Sequence, residues 1–149
     1  MAENFSIYSL ADVIVTINHP EVGQCVISEQ GGGRVVISRT GNLSTHTITA
    51  TGYVVINKMR AVSGNCALEL PQNSPADEYF RKLIRHLVGD ATNNYALTTM
   101  DIFDPFGNDG RGKTFHLKGV TPDKWPDEAY DRESATRNYN MLAAEITEI

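Results

Sequence analysis

The chain has 149 residues, 41% hydrophobic and 21% charged, so it is long enough to bury a core and too apolar to be a disordered chain. Its formal net charge of −5 gives no global attraction to nucleic acid or anionic lipid. The N-terminus MAENFSIYSL lacks a signal-peptide core, and no apolar run approaches the roughly 20 residues that span a bilayer. We therefore expect one domain over residues 1–149, made in the cytoplasm, with no stable membrane association.

The first half of the chain predicts a meander of short strands. It is rich in Val, Ile and Thr, which favour a pleated surface. Turn sequences at 31–33, 40–42, 51–53 and 63–65 recur about every ten residues, which is typical of antiparallel strands. The sequence between and around these turns predicts strands at 11–18, 34–39, 44–51, 53–58 and 65–70.

Threonine recurs at every second position of the strand predicted at 44–51. Period two places these side chains on one face of the strand, opposite His46, Ile48 and Ala50. The face is an outer sheet surface in water, the wall of an aqueous channel, or an edge that meets another subunit. The residues concerned are Thr45, Thr47, Thr49 and Thr51.

One segment predicts a helix. Ser74 can cap its N-terminus, Pro75 suits the first helical position, and Asp77 completes a capping-box-like pattern. An apolar stripe with helical spacing follows, and Gly89 supplies a stop. The opposite face is basic, and it is either a solvated surface or the docking face for an acidic partner; its residues are Arg81, Lys82, Arg85 and His86.

The stretch GNDGRGKT at 107–114 matches the phosphate-binding pattern G-x-x-x-x-G-K-[ST]. That pattern needs a helix after the loop, but residues 114–118 alternate polar and apolar as a strand does. Asp109-Gly110 favours a tight hairpin turn after a strand at 96–103. We therefore predict a hairpin whose tip carries Asp109, Arg111 and Lys113 towards a neighbouring molecule; a nucleotide-binding enzyme is the alternative.

Other chemistry is thinly represented. The histidines share no metal-ligand spacing, and Cys25 and Cys66 match no metal or redox pattern, so we expect free thiols. The loop aspartates Asp101, Asp104 and Asp109 are interpreted as turn formers rather than a cation site. We predict no catalytic residues, no cofactor and no metal.

The C-terminal third contains a polar run at 119–138 that is interpreted as a long loop. Trp125 lies between prolines in this run and is either an anchor for another surface or packed on its own domain. The last segment, 139–149, has no clean period and is consistent with helix or strand.

Several of these segments resemble one family. In LELPQNSPADEYFRKL (68–83) a strand ends in a Ser-Pro turn and enters one amphipathic helix, which is similar to tail tube proteins of contractile-tailed bacteriophages and of phage-tail-like bacteriocins. YSLADVIVTINHP (8–20) and YNMLAAEITEI (139–149) resemble the same family.

The resemblance implies an antiparallel β-sandwich or half-barrel with one flanking helix, closing into a β-barrel ring on oligomerisation. Hexameric rings would stack into a tube that passes DNA as a transient passenger or perforates a membrane. The implied partners are further copies of the chain, a tail sheath protein, and tape-measure and baseplate or terminator proteins, within a virion assembled in the host cytoplasm.

Under this resemblance the Thr45–Thr51 face becomes a lumen wall. The loops at 104–113 and 119–138 become contacts between rings or with the sheath, so that Asp109, Arg111, Lys113 and Trp125 are expected at subunit contacts. A monomeric β-sandwich binding module is the remaining alternative.

Overall fold

The computed structural model describes residues 6–27, 34–89 and 95–149, and the turn predicted at 31–33 lies outside these ranges. One α-helix, α1, covers Pro75–Gly89, and short helical turns cover Leu10–Asp12 and Gly107–Gly110. The strands are β1 (Ile14–His19), β2 (Gly23–Ile27), β3 (Arg34–Arg39), β4 (Ser44–Ile48), β5 (Val54–Lys58), β6 (Gly64–Pro71), β7 (Thr98–Asp104), β8 (Lys113–Pro122), β9 (Thr136–Ala143) and β10 (Glu145–Glu148).

These strands confirm a mainly β, antiparallel fold with one helix. The larger sheet has eight strands in the order β2-β1-β7-β8-β9-β6-β3, with β10 also paired to β8. Strand β8 joins its two halves, because its first part pairs with β7 and β10 whereas Thr121 and Pro122 pair with β9. The sheet ends at β2 and β3 and is not closed within the protomer.

The core lies between the two halves of this sheet and α1. Strands β6 and β9 alternate buried and less buried residues, as period two predicts for strands with one covered face. The apolar stripe of α1 buries Phe80, Leu83, Ile84 and Leu87 in the same cluster as Leu68 and Met141 on the sheet. Each such side chain stabilises the fold by about 1.5–3 kcal/mol relative to exposure.

Strand β2 was not predicted, because Gly23, Gln24 and Cys25 hide any alternation. It forms by antiparallel pairing with β1, from Val15↔Ile27 to His19↔Gly23. The Nδ1 atom of His19 accepts the backbone N–H groups of Glu21 and Val22, at 3.1 and 3.3 Å, and so closes the turn from β1. The hydroxyl of Tyr79 on α1 donates to the carbonyl of Gly23 at 2.6 Å.

Other boundaries differ from the prediction for local reasons. Strand β1 begins at Ile14 because a 3-10 turn precedes it. Strand β4 ends at Ile48, since residues 49–52 form a turn with Gly52 at φ 86°. The predicted 119–138 loop is shorter at both ends, because β8 continues to Pro122 and β9 begins at Thr136. Residues 139–149 are strand rather than helix.

Candidate assembly surfaces

The hairpin β4–β5 forms a separate two-stranded sheet that stands apart from the core; we call residues 43–59 the arm. Among the described residues, the hydrogen bonds found within 43–59 join the arm to itself, including Met59 N–H to the Leu43 carbonyl at 2.9 Å. Isolated two-stranded hairpins are marginally stable in water at best. A further surface is therefore expected to cover the arm.

The arm exposes an unusual amount of apolar surface. Its strand register places His46 opposite Ile56 and Ile48 opposite Val54, all on one face. Ile48 and Ile56 are 72% and 69% exposed, where a core position would be near zero. Contiguous apolar patches on this scale usually mark interaction sites. Other exposed large apolar side chains on the arm are Leu43, Tyr53, Val54, Val55 and Met59.

The opposite face of the arm carries the threonines. The amide of Asn57 donates to the hydroxyls of Thr45 and Thr47, each at 3.2 Å, so these side chains form one polar row. Thr49 and Thr51 do not extend this row as a strand; they lie in the tip turn with their hydroxyl oxygens 3.2 Å apart. The predicted period-two face is therefore shorter than expected, and it backs directly onto the Ile48–Ile56 face.

The base of the arm is basic. Lys58 ends β5, Arg60 lies two residues further on, and Arg39 ends the neighbouring β3; all are exposed. No aspartate or glutamate occurs between Arg34 and Leu68, in a chain with an overall charge of −5. The arm and its base therefore carry positive charge while the rest of the chain carries the excess of acid.

The GNDGRGKT segment is a hairpin turn, as predicted. Asn108, Asp109 and Gly110 have φ values of 51°, 58° and 86°, and Asp104 is then paired with Lys113 on antiparallel strands. A phosphate-binding loop needs a parallel strand before it and a helix after it, so this geometry excludes that mechanism. The Nζ of Lys113 lies 3.4 Å from the carboxylate of Glu148.

The turn also meets the end of the chain. The amide of Asn108 donates to the carbonyls of Gly112 and Ile149, at 3.0 and 3.4 Å, so the turn is held against β10. Asp109 and Arg111 remain exposed beside an open groove that also borders Phe103. As predicted, Asp104 forms the turn, because its carboxylate accepts the N–H of Phe106 at 3.1 Å.

The loop at 123–135, which we call the acidic loop, lies against the helix. Trp125 is 43% exposed, with the guanidinium of Arg81 5.9 Å from its ring centroid. Glu128 forms an ion pair with Arg81, and the side chain of Gln72 bonds to the backbone of Ala129 and Ala135 at 3.2 Å each. Trp125 is thus partly packed on its own chain and partly presented to solvent, which leaves its role as an anchor for another surface a prediction.

A buried ionic cluster connects α1 with β9. The carboxylate of Asp77 forms an ion pair with Arg137 and accepts a 2.6 Å hydrogen bond from the hydroxyl of Tyr139; all three side chains are buried. Burial lowers the pKa of Arg137, but the hydrogen bond and charge of Asp77 raise it overall. Burial and the same carboxylate raise the pKa of Tyr139. The cluster joins the helix to β9 within the core, because its three side chains are buried and bonded to one another.

The basic face of α1 is divided. Arg81 and His86 are engaged with carboxylates on the same chain, His86 Nε2 lying 3.0 Å from Glu21. Lys82 and Arg85 are exposed. The interpretation of this face as a solvated surface therefore holds for Lys82 and Arg85 but not for Arg81 and His86.

The predicted contact residues fall into two groups. Asp109, Arg111 and Lys113 share one turn beside the C-terminus, whereas Trp125 lies over α1. The arm's apolar face and basic base were not predicted as contact sites. A signal existed in the sequence, namely the long segment without any acidic residue.

The described parts of the chain, 6–27, 34–89 and 95–149, contain no group of three or more His, Cys, Asp or Glu side chains placed to share a metal ion. No helix among these residues has the length and apolar character needed to cross a membrane. Both thiols have a raised pKa because of burial, that of Cys66 reaching about 12.

Several solved structures have a similar fold. A chain in the extended-state sheath/tube terminator of the extracellular contractile injection system PVC matches with a TM-score of 0.59 and 11% identity over 99% of each chain. A chain in the PVC sheath-tube complex matches with a TM-score of 0.55 and 13% identity, over 95% of this chain and 90% of that one. A chain in the anti-feeding prophage baseplate gives a TM-score of 0.65 and 10% identity over 97% of each chain. The fold is that of components of contractile injection systems.

The family follows from the sequence itself. Residues 5–149 match the family of the bacteriophage PhiTE tail tube protein, so the chain belongs to this phage tail tube family. It is a structural protein and not an enzyme. No curated protein sequence matches it.

Proposed function

We propose that the protein is the protomer of a contractile-tail inner tube, whose copies close into hexameric rings that stack around a conduit. The observation that carries the proposal is the match to a tail tube family over residues 5–149. The open sheet of the protomer supports it. The sheet has open edges at β2 and β3, and ring closure removes such edges.

Under this proposal the face of the arm that carries Thr45 and Thr47 lines the conduit. If the Ile48–Ile56 face of the arm packs on protein, the polar row of Thr45 and Thr47 faces away from that contact, towards water. Thr49 and Thr51 lie beyond this row, in the tip turn, with their hydroxyl groups bonded to each other. A wall without basic side chains would not retain a phosphate backbone.

The remaining predicted contacts are assigned to stacking. Asp109, Arg111 and Lys113 lie together on the β7–β8 turn, and Trp125 is partly exposed on the acidic loop. We assign them to contacts with the next ring, the sheath, the tape-measure protein, or a baseplate or terminator protein. The DNA passes only transiently, and the assembled particle is a tail or tail-like structure made in the host cytoplasm.

Electron microscopy of negatively stained protein, with sedimentation measured over a concentration series, tests the proposal. We expect rings or hollow tubes of uniform width that increase with concentration. Rings that never stack would instead indicate a protein that caps a tube. A monomer at every concentration would contradict the proposal and favour the monomeric binding module.

A further inference from the structure

We propose that the arm of one copy docks on the acidic loop of a second copy, and that this contact is the repeating contact of the assembly. The inference rests on the proposed function, because it specifies which surfaces join the protomers. It follows from a complementarity of charge and of apolar surface between two separate parts of the same chain.

The charges of the two surfaces are opposite. The base of the arm presents Arg39, Lys58 and Arg60, and no acidic residue occurs within 34–68. The acidic loop carries five carboxylates and only two basic residues: Asp123, Asp127, Glu128, Asp131 and Glu133, with Lys124 and Arg132. Complementary patches of this kind set the orientation and the rate of association.

The apolar surfaces also match. The arm presents Ile48 and Ile56, each exposed by more than two thirds. The acidic loop presents Trp125, which is 43% exposed, and Tyr130, which is 77% exposed. Partly exposed aromatic rings surrounded by charge are the usual anchors of protein contacts. Apolar side chains of the arm can therefore cover these rings while the basic residues at its base meet the carboxylates.

The two surfaces differ in how firmly they are fixed before they meet. The arm has its own ladder of strand pairs, from Ser44↔Lys58 to Ile48↔Val54. The acidic loop is fixed by Gln72 and by the Arg81–Glu128 pair, and Pro126 in its centre is buried. Because the acidic loop is already fixed, its side of the contact loses less conformational entropy on binding than a flexible segment would, whereas the marginally stable arm becomes more ordered.

The geometry of repetition fits the proposed assembly. The arm and the acidic loop are different surfaces, so a contact between them is heterologous, and each copy keeps one arm and one loop available for further copies. Heterologous contacts produce closed rings or open helical stacks rather than dimers. A second copy of this chain is thus the occupant that accounts for both surfaces together.

Charge reversal followed by charge exchange tests the proposal. Asp127 and Asp131 are chosen because they are exposed, whereas Glu128 pairs with Arg81. Lys58→Glu with Arg60→Glu should lower the assembled fraction about tenfold, and adding Asp127→Lys with Asp131→Lys should restore most of it. The matched control, Lys82→Glu with Arg85→Glu on α1, makes an equal charge change on another exposed face and should change assembly by less than about twofold.

The outcomes separate this inference from the proposed function. If the wild-type protein never assembles, the proposed function fails. If the wild type assembles and the arm reversal assembles equally well, only this inference fails. It also fails if the exchanged chain is not restored, or if the reversal abolishes binding to duplex DNA while assembly is unchanged, since the occupant of the arm would then be nucleic acid.

A second measurement uses the unmodified chain and so does not depend on the folding of variants. Isotopically light and heavy protein are mixed, assembled and treated with a carbodiimide, which joins amines directly to carboxylates. We expect mixed-isotope crosslinks from Lys58 to Asp127, Asp131 or Glu133. Crosslinks from Lys58 only to carboxylates outside the acidic loop would overturn the proposal.

Discussion

The core around α1 and the arm are built on opposite principles. In the core, Asp77 and Arg137 lie 60 residues apart in sequence and form an ion pair with both side chains buried. In the arm, the apolar side chains Ile48 and Ile56 are exposed, and the backbone bonds only to itself. The core therefore provides the stability of the protomer, whereas the arm leaves apolar surface exposed, which association with another molecule can cover.

The substitution expected to have the largest effect on the stability of the core is Asp77→Ala. The substitution removes the carboxylate that forms the buried ion pair with Arg137, so that this guanidinium keeps only the partly exposed carboxylate of Glu128 at 3.7 Å, and it removes an acceptor from Tyr139. Breaking one partner of a buried pair costs about 3–5 kcal/mol. We expect urea denaturation to show that loss. The adjacent exposed Glu78→Ala is the control and should change stability by less than about 0.5 kcal/mol.

The double variant Asp77→Ala with Arg137→Met sharpens the same test. Removing both charges should recover part of the loss, because the penalty arises mainly from the unpaired buried charge. Equal unfolding midpoints for Asp77→Ala and the wild type would show that the pair is not buried in solution.

A pair of glycines compares the two regions directly. A Cβ atom at Gly64, where β6 begins, would lie 2.1 Å from the carbonyl oxygen of Ser38, so Gly64→Ala must displace backbone and should cost about 1–3 kcal/mol. Gly52 at the tip of the arm has φ 86° but nothing within 4 Å of an added Cβ. Gly52→Ala therefore strains only the arm.

Thermal unfolding of the protomer measures the difference. We expect a lower melting temperature for Gly64→Ala and an unchanged one for Gly52→Ala, with the latter affecting assembly instead. A loss of protomer stability in Gly52→Ala as large as that in Gly64→Ala would show that the arm folds as part of the core.

Local patterns predicted much of the core. The cap and apolar stripe of α1 lie within sixteen consecutive residues, and its start at Pro75 follows from them. The Asp-Gly turn predicted the β7–β8 hairpin for the same reason. Strand β2 escaped prediction because its sequence shows no alternation; it forms by pairing with β1, and the bond from Tyr79, 56 residues away from Gly23, holds it against α1.

The assembly surface was harder to predict than the fold. The sequence of the arm predicts strands at 44–51 and 53–58, which overlap the observed strands at 44–48 and 54–58, but it does not show how exposed their faces are. A strand with Thr on one side and Ile or His on the other is typical of a half-buried sheet. Only the tertiary arrangement shows that the core, as far as residues 6–27, 34–89 and 95–149 describe it, leaves Ile48 and Ile56 exposed.

Amide hydrogen exchange should separate the regions without any substitution. Amides of β6 and β9 lie between paired strands of the large sheet and should open only with global unfolding. Amides of β4 and β5 have one partner strand and no core, so we expect them to exchange much faster in the unassembled protein. Assembly should slow amide exchange in the arm and leave the exchange of β6 unchanged. Exchange in the arm that remains fast in the assembled protein would contradict the role of the arm as a contact.

The smallest effect is expected at the turn that resembles a phosphate-binding loop. Lys113 and Glu148 are 35% and 45% exposed, so their ion pair stabilises the protomer by less than about 1 kcal/mol. Lys113→Ala should leave the melting temperature nearly unchanged, and magnesium with nucleotide should not alter it in either protein. A ligand at one hundred times its Kd would add about 2.7 kcal/mol. Such a gain in the wild type, absent in Lys113→Ala, would contradict the hairpin interpretation, because an antiparallel strand starting at Lys113 leaves no helix dipole to hold phosphate.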